Sequence, residues 1–196
     1  MPTDDDARLL LAHLRARVSL SDDEGAAVAA YFSTRAVRSR ETLVREGERQ
    51  RELYFVTEGC LRLRRRDEAG RDRTALLCPR DWWAIDVVSV THARASRFDV
   101  EAVLPSRVVA ISRERFFTLL EAHPRLEKWL RMLLSNAIAA AEDRLVARGR
   151  LSAVERLAAF DARYPELATR LSQRVIASYI DVSPEHLSGL RRQGGT

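Results

Sequence analysis

Residues 183–192 of this 196-residue chain read Ser-Pro-Glu-His-Leu-Ser-Gly-Leu-Arg-Arg, and their types suit recognition rather than catalysis. Ser183 and Pro184 start a helix, as capping hydroxyl and first-turn proline. At helical spacing Leu187 and Leu190 turn inward, leaving Ser183, Glu185, His186, Ser188, Arg191 and Arg192 outside. Base edges in a major groove call for such groups. A carboxylate accepts from cytosine, hydroxyls take either role, and guanidinium groups reach bases or phosphates. Just upstream, Val175, Ile176, Tyr179 and Ile180 form a helical apolar stripe, Ala177 permits a close crossing, and Asp181 sits in a turn. Two short helices joined in this way predict a helix-turn-helix, with Gln173 and Arg174 of the first near the backbone of a duplex.

Other chemistry is thinly supplied. Cys60 and Cys78 lack the paired spacing of a zinc or iron–sulfur site, and read as small buried hydrophobes in strands. The four histidines (His13, His92, His123 and His186) read as surface residues, none marked as an axial or metal ligand. An enzyme on a cupin-like barrel needs several histidines and a carboxylate at strand spacing, whereas only His92 lies in the strand region. No catalytic residue and no metal site is expected.

The elements that must position the reading helix follow from the hydrophobic period. Residues 7–32 carry two helical patterns, the second opening at the capping box Ser21-Asp-Asp-Glu24. From Ala36 to Ser112 the period is two, in short runs separated by Glu46-Gly47, Glu58-Gly59 and Ala69-Gly70, as in an antiparallel barrel or jelly roll. Within it, Leu61-Arg-Leu-Arg64 reads as a half-buried strand with its basic face in water. A capped short helix follows Ser112. A long helical pattern then runs from about Arg125 to Arg148, with Gly149 as a hinge. Its apolar members Leu126, Trp129, Leu130, Leu133, Ala137, Ile138, Ala141 and Leu145 make a stripe too wide for a solitary surface helix. It fits a helix packed on its own barrel and on a second copy of itself, or the core helix of a monomer.

The chain is therefore read as α+β: a double-stranded β-helix or jelly-roll sensor barrel with flanking helices (1–124), a long dimerisation helix (125–149) and a small all-helical helix-turn-helix domain (150–196). Hydrophobic residues make up 46% of the chain, ample for a core, and no run approaches the roughly 20 residues of a membrane span. An acidic, amphipathic N-terminus is no signal peptide, so a cytoplasmic protein without a membrane partner is expected. The net charge of +5 is uneven. From Arg125 onward 12 Lys and Arg face 8 Asp and Glu, against 21 and 20 before it. A basic C-terminal part suits a polyanion.

Barrel, long helix and helix-turn-helix, in that order, resemble the Crp/Fnr family of bacterial transcription regulators along essentially the whole chain. The resemblance rests on Leu43-Val-Arg-Glu-Gly-Glu48, Leu53-Tyr-Phe-Val-Thr-Glu-Gly59, Val109-Ala-Ile-Ser-Arg-Glu-Arg-Phe116, Pro165-Glu-Leu167, Ile176-Ala-Ser-Tyr-Ile180 and Ser183-Pro-Glu-His-Leu-Ser188. It implies a homodimer on a palindromic double-stranded DNA site, a cyclic-nucleotide-binding-like sensor, and RNA polymerase as a further partner. Two departures stand out. Members that bind cyclic AMP carry Gly-Glu and then Arg-Ser or Arg-Thr; here Ala84 and Ile85 stand in the first place, and Arg94 and Arg97 are out of register in the second. No cofactor is therefore expected and a cyclic nucleotide is disfavoured, with any other effector unnamed. Trp82 and Trp83, on opposite faces of a strand, either line an effector pocket with Arg94 and Arg97 or fill the space a nucleotide would take. Secondly, Gly189 stands where relatives place an arginine for guanine, and the segment before Leu171 lacks the strands of a winged module. Two functions follow: a dimeric DNA-binding regulator independent of cyclic AMP, or an effector-sensing or protein-interaction module whose helix-turn-helix no longer binds DNA specifically.

Overall fold

The computed structural model describes residues 2–193; residue 1 and residues 194–196, at the ends of the first and last expected segments, lie outside the described residues. Thr3 caps α1 (Asp4–Arg15), with Asp4, Asp5 and Asp6 at the positive end of the helix. The capping box forms in full at α2 (Asp22–Ala29): Ser21 Oγ accepts from the Glu24 N–H and the Glu24 carboxylate accepts from the Ser21 N–H. The period-two region becomes β1 (Ser33–Val37), β2 (Thr42–Val44), β3 (Glu52–Glu58), β4 (Cys60–Arg66), β5 (Asp72–Pro79), β6 (Trp83–Ala84), a short α3 (Val87–His92), β7 (Asp99–Ala102) and β8 (Ser106–Ser112). These strands form two antiparallel four-stranded sheets, ordered β1-β8-β3-β6 and β2-β7-β4-β5. Gly59 joins β3 to β4 at φ +81°, and a Cβ there would lie 2.3 Å from the Pro105 carbonyl oxygen.

Alternation along the strands separates two cores. Tyr54, Val56, Leu61, Leu63, Val100 and Val108 fill the space between the sheets. Leu53, Phe55, Val109 and Ile111 face the other way and are covered by helices, through Leu10 and Leu14 of α1, Phe116 of α4 (Arg113–Ala122) and Trp129 of α5 (Leu126–Arg150). At 25 residues α5 is about 37 Å long.

The hinge expected at Gly149 is not there. The helix runs through Gly149 to Arg150 and stops because Ser152 and Glu155 form a capping box that starts α6 (Ala153–Arg163). A lone glycine costs about 1 kcal/mol in a helix, too little to end one of this length. Then come α7 (Pro165–Arg170), α8 (Gln173–Ile180) and α9 (Pro184–Gln193). Among the described residues no strand follows β8, and no helix is long and apolar enough to cross a membrane.

The stripe expected on α5 divides into two. Leu126 and Trp129 are fully inside the protomer's own core, and Leu130 and Leu133 pack against it. Leu126 and Trp129 are not available to a second copy, because the first turns of α5 close the helical side of the barrel, whereas Leu130 and Leu133 are only half-buried. Ala137, Ile138, Ala141 and Leu145 are exposed, Ile138 by 60% and Leu145 by 72%.

Candidate nucleic-acid interface

The first helix of the helix-turn-helix is held by its apolar face: Val175, Ile176, Ala177 and Ile180 are buried with Phe160, Leu167 and Leu171. It ends at Asp181, which takes the left-handed conformation (φ 64°, ψ 49°) that aspartate tolerates better than most side chains. The Val182 N–H returns to the Ala177 carbonyl, 3.0 Å away. Ser183 then caps α9, its Oγ accepting from the His186 N–H at 3.1 Å. Leu187 is fully buried and pins α9 to α8.

Of the expected DNA contacts, Gln173, Arg174, Ser183, Glu185, His186, Ser188 and Arg192 are exposed. The Glu185 carboxyl is held below the usual carboxylate range by its own backbone N–H and the Ser183 hydroxyl at the helix start, so it stays an acceptor. Arg191 differs from expectation. Its Nη2 donates to the Ala168 carbonyl at 3.4 Å and lies 3.8 Å from Asp161, so the guanidinium is drawn back onto α6 and α7 rather than left free for a phosphate. Nothing lies within 4 Å of a Cβ built at Gly189, so that position has open space for a side chain.

What holds this unit to the barrel was not legible in the strand pattern. The basic face expected in water at Arg62 and Arg64 is covered: Arg62 is only 5% exposed. Opposite charges on neighbouring strands explain it, since Arg62 stands across from Glu101 and Arg64 from Asp99 in register. Arg62 Nη2 donates to Asp72 and Glu101, each at 3.2 Å; Arg64 Nε donates to Glu101 at 2.6 Å, and its Nη2 lies 2.9 Å from Asp99. From Arg62 a hydrogen-bond chain crosses to α8. Arg62 Nη1 donates to Thr74 Oγ1 (3.2 Å), Thr74 to Ser178 Oγ (2.6 Å), and Ser178 to the Val175 carbonyl (2.8 Å). Arg174 lies 3.8 Å from Asp72, and Asp181 pairs with Arg73 and Arg148. The matching Arg-x-Arg of β4 and Asp-x-Glu of β7 was the signal, visible only if the two strands were known to pair.

The four expected effector residues do not converge. Trp83 lies on the helical side of the first sheet, its ring centroid 5.3 Å from both Phe55 and Trp129, whereas Trp82 packs against the space between the sheets. Both border a cavity that Arg94 and Arg97 do not reach. Those arginines are exposed, Arg97 stacked over Phe98 at 5.5 Å. The loop that carries them is organised by a buried carboxylate instead. Asp86 accepts from the N–H groups of Val88 (3.1 Å), Ser89 (3.3 Å) and Arg97 (2.9 Å), and Ser96 Oγ lies 3.2 Å away. Gln50 Oε1 in turn accepts from the Asp86 N–H, and Ala84 is completely buried.

His13, expected at the surface, is buried among Phe55, Trp83 and Trp129, because α1 lays this position against the sheet. Burial lowers its pKa, against the opposing pull of Asp81, whose carboxylate lies 2.8 Å from Nδ1. Cys60 and Cys78 are buried in β4 and β5, and burial pushes the Cys60 thiol up to about 12. Among the described residues no three His, Cys, Asp or Glu side chains are placed to hold a metal ion.

With this geometry in view, residues 34–123 match the cyclic nucleotide-binding domain family, under half of the chain. No curated protein sequence matches the chain. Among solved structures it is similar to FixK2 from Bradyrhizobium japonicum (20% identity, 83% of each chain covered, TM-score 0.71). It is also similar to the Thermus thermophilus catabolite activator protein (20% identity, 92% of this chain and 85% of the other, TM-score 0.60). A third likeness is to a structure from Eubacterium rectale described as of the Crp/Fnr family (14% identity, 89% and 83%, TM-score 0.70). Residues 34–123 are thus similar to the cyclic nucleotide-binding domain family, and the chain shares its fold with these regulators.

Proposed function

We propose that this protein is a homodimeric DNA-binding transcription regulator of the Crp/Fnr type that works without cyclic AMP. The observation that carries the reading is α9: a helix anchored by Leu187, with Ser183, Glu185, His186, Ser188 and Arg192 on its free face. A second copy would join along Ile138, Ala141 and Leu145, exposed at 3- and 4-residue spacing as in a coiled-coil seam. Two reading helices would then meet a palindromic site about one DNA turn apart, roughly 34 Å. Independence from cyclic AMP is supported by Asp86, which occupies backbone donors of the 86–97 loop, and by Ile85 where the family's ribose-binding carboxylate is expected.

Selection from genomic fragments, followed by anisotropy titration at two salt concentrations, tests this. We expect one enriched palindrome, bound at least a thousandfold more tightly than random DNA, with no change on adding cyclic AMP. Arg192→Ala should lower the salt slope by about 1. Arg191→Ala should leave it unchanged.

The second reading, a module whose helix-turn-helix no longer selects DNA, is favoured by one observation: α8 is bonded to the barrel through Thr74 and Ser178. Binding with no preference over random DNA would decide for it.

A further inference from the structure

We propose that the cavity at the β6 edge of the barrel, beneath α5, is a binding site for a small amphipathic carboxylate, its apolar body against Trp82 and Trp83 and its head at Arg17. The cavity measures about 240 Å³. That is room for a body of roughly eight groups of about 30 Å³, a water's share of liquid volume and close to that of a methylene. Its walls are hydrocarbon and aromatic: the two indoles, Ile85, Val90 of α3, Phe117 of α4 and Leu134 of α5.

One end is polar, where His13, Arg17 and Asp81 border the same cavity. The Arg17 guanidinium donates to the His13 carbonyl at 2.8 Å and pairs with no carboxylate among the described residues. Asp81 accepts from His13 Nδ1, whose ring burial holds toward the neutral form, so the Asp81 carboxylate is hydrogen-bonded but not charge-paired. Beyond Arg17 the surface continues into an open cleft where Arg15 pairs with Asp22 and Arg125 with Glu24, whereas Lys128 and Arg131 pair with no carboxylate among the described residues and Glu127 is the acidic member. Arg17, Lys128 and Arg131 outnumber Asp81 and Glu127 at this end, and the excess positive charge favours an anionic head over a neutral or cationic one.

The cavity reaches from Leu76 and Trp82, which also border the space between the sheets, to the helical side of the barrel at Val90 and Phe117. It is also walled by the stretch of α5 just before the exposed seam, so an occupant would bear directly on that helix. The inference rests on the cavity alone and not on DNA binding.

Octanoate is the probe, titrated into the full chain while tryptophan fluorescence is read, because all three tryptophans (Trp82, Trp83 and Trp129) lie in or against this region. The expected result is a saturable change with octanoate. Affinity should rise about fourfold per methylene from hexanoate to octanoate. 1-Octanol and octyltrimethylammonium should bind at least tenfold more weakly. Arg17→Gln should bring octanoate down to the level of octanol. Ala137→Phe, at an exposed position of α5 on the cavity rim, should abolish saturation while the circular dichroism spectrum is retained. A linear, non-saturating response to all three probes overturns the site. So does saturation that persists in Ala137→Phe. Equal affinity for octanoate and octyltrimethylammonium overturns the assignment of the head. No arm uses DNA, so failure here leaves the regulator reading standing.

Discussion

The barrel is gripped on two faces by helices, and the two grips differ in kind. On one face α1, α4 and the start of α5 attach through hydrocarbon and aromatic rings, with Leu10, Leu14, Phe55, Trp83, Phe116 and Trp129 in a single cluster. On the other, α8 attaches through the Arg62–Thr74–Ser178 hydrogen-bond chain and through the ion pairs of Arg174, Arg73 and Arg148, beside a smaller apolar patch at Cys60 and Leu77. Apolar burial is not screened by salt and is lost only on unfolding. The partly exposed ion pairs of Arg174, Arg148 and Asp181 are weak and screened, and the buried hydrogen-bond chain can part only where water takes over its polar groups. The contrast predicts one face that is permanent and one that can let go, and the releasable face carries the helix-turn-helix.

The largest test of this contrast is Trp129→Ala, which truncates the centre of the apolar grip. It should cost about 3–5 kcal/mol, measured by denaturant unfolding, with both faces lost together. Next is Glu101→Gln, which leaves the buried Arg62 and Arg64 short of a counter-charge. The expected loss is about 3 kcal/mol, less than for deleting a sole partner because Asp72 remains. If it costs nothing, water reaches the network and the face is wetter than its burial indicates.

A smaller effect is expected from Ser178→Ala. It should lower global stability by only about 1 kcal/mol, yet increase amide exchange in α8 and α9 while leaving α1 and α4 unchanged. Equal exchange in all four helices would erase the distinction between the grips. Raising salt should act in the same direction as this variant. The smallest effect on stability belongs to Gly189→Arg. Open space around the position lets the side chain in, and the helix should gain up to about 1 kcal/mol. The same change should tighten DNA binding, because it supplies the guanine-reading group that the family resemblance expects there. Unchanged DNA affinity in this variant would speak for the non-DNA reading.

Much of the architecture is legible along the chain because its causes are local. The capping box at Ser21, the capped helix after Ser112, the period-two runs and the Ser183-Pro184 helix start all rest on residues within four positions of one another. The candidate site is legible to the same depth: which side chains of α9 face outward follows from its own spacing. Three features were not. Arg62 and Arg64 alternate with leucines as a solvent face would, and only pairing with β7, nearly 40 residues away, supplies Glu101 and Asp99 to bury them. His13 looks like any polar residue of an amphipathic helix until Asp81, 68 positions on, accepts its Nδ1. Arg191 points back to Ala168 because α7 happens to end beneath it.

The sequence by itself thus determined the order of elements, the helix-turn-helix and the absence of the Gly-Glu signature at Ala84 and Ile85. Only the tertiary structure decided which residues of α5 serve the protomer's own core and which remain exposed, since an apolar stripe does not say what covers it. It alone also placed a carboxylate, Asp86, among the amides of the 86–97 loop, and put Trp82 and Trp83 beside a cavity rather than Arg94 and Arg97. The physical reason is the same in each case. Local propensity and period depend on neighbours in sequence, whereas burial, charge pairing and cavity shape depend on neighbours in space.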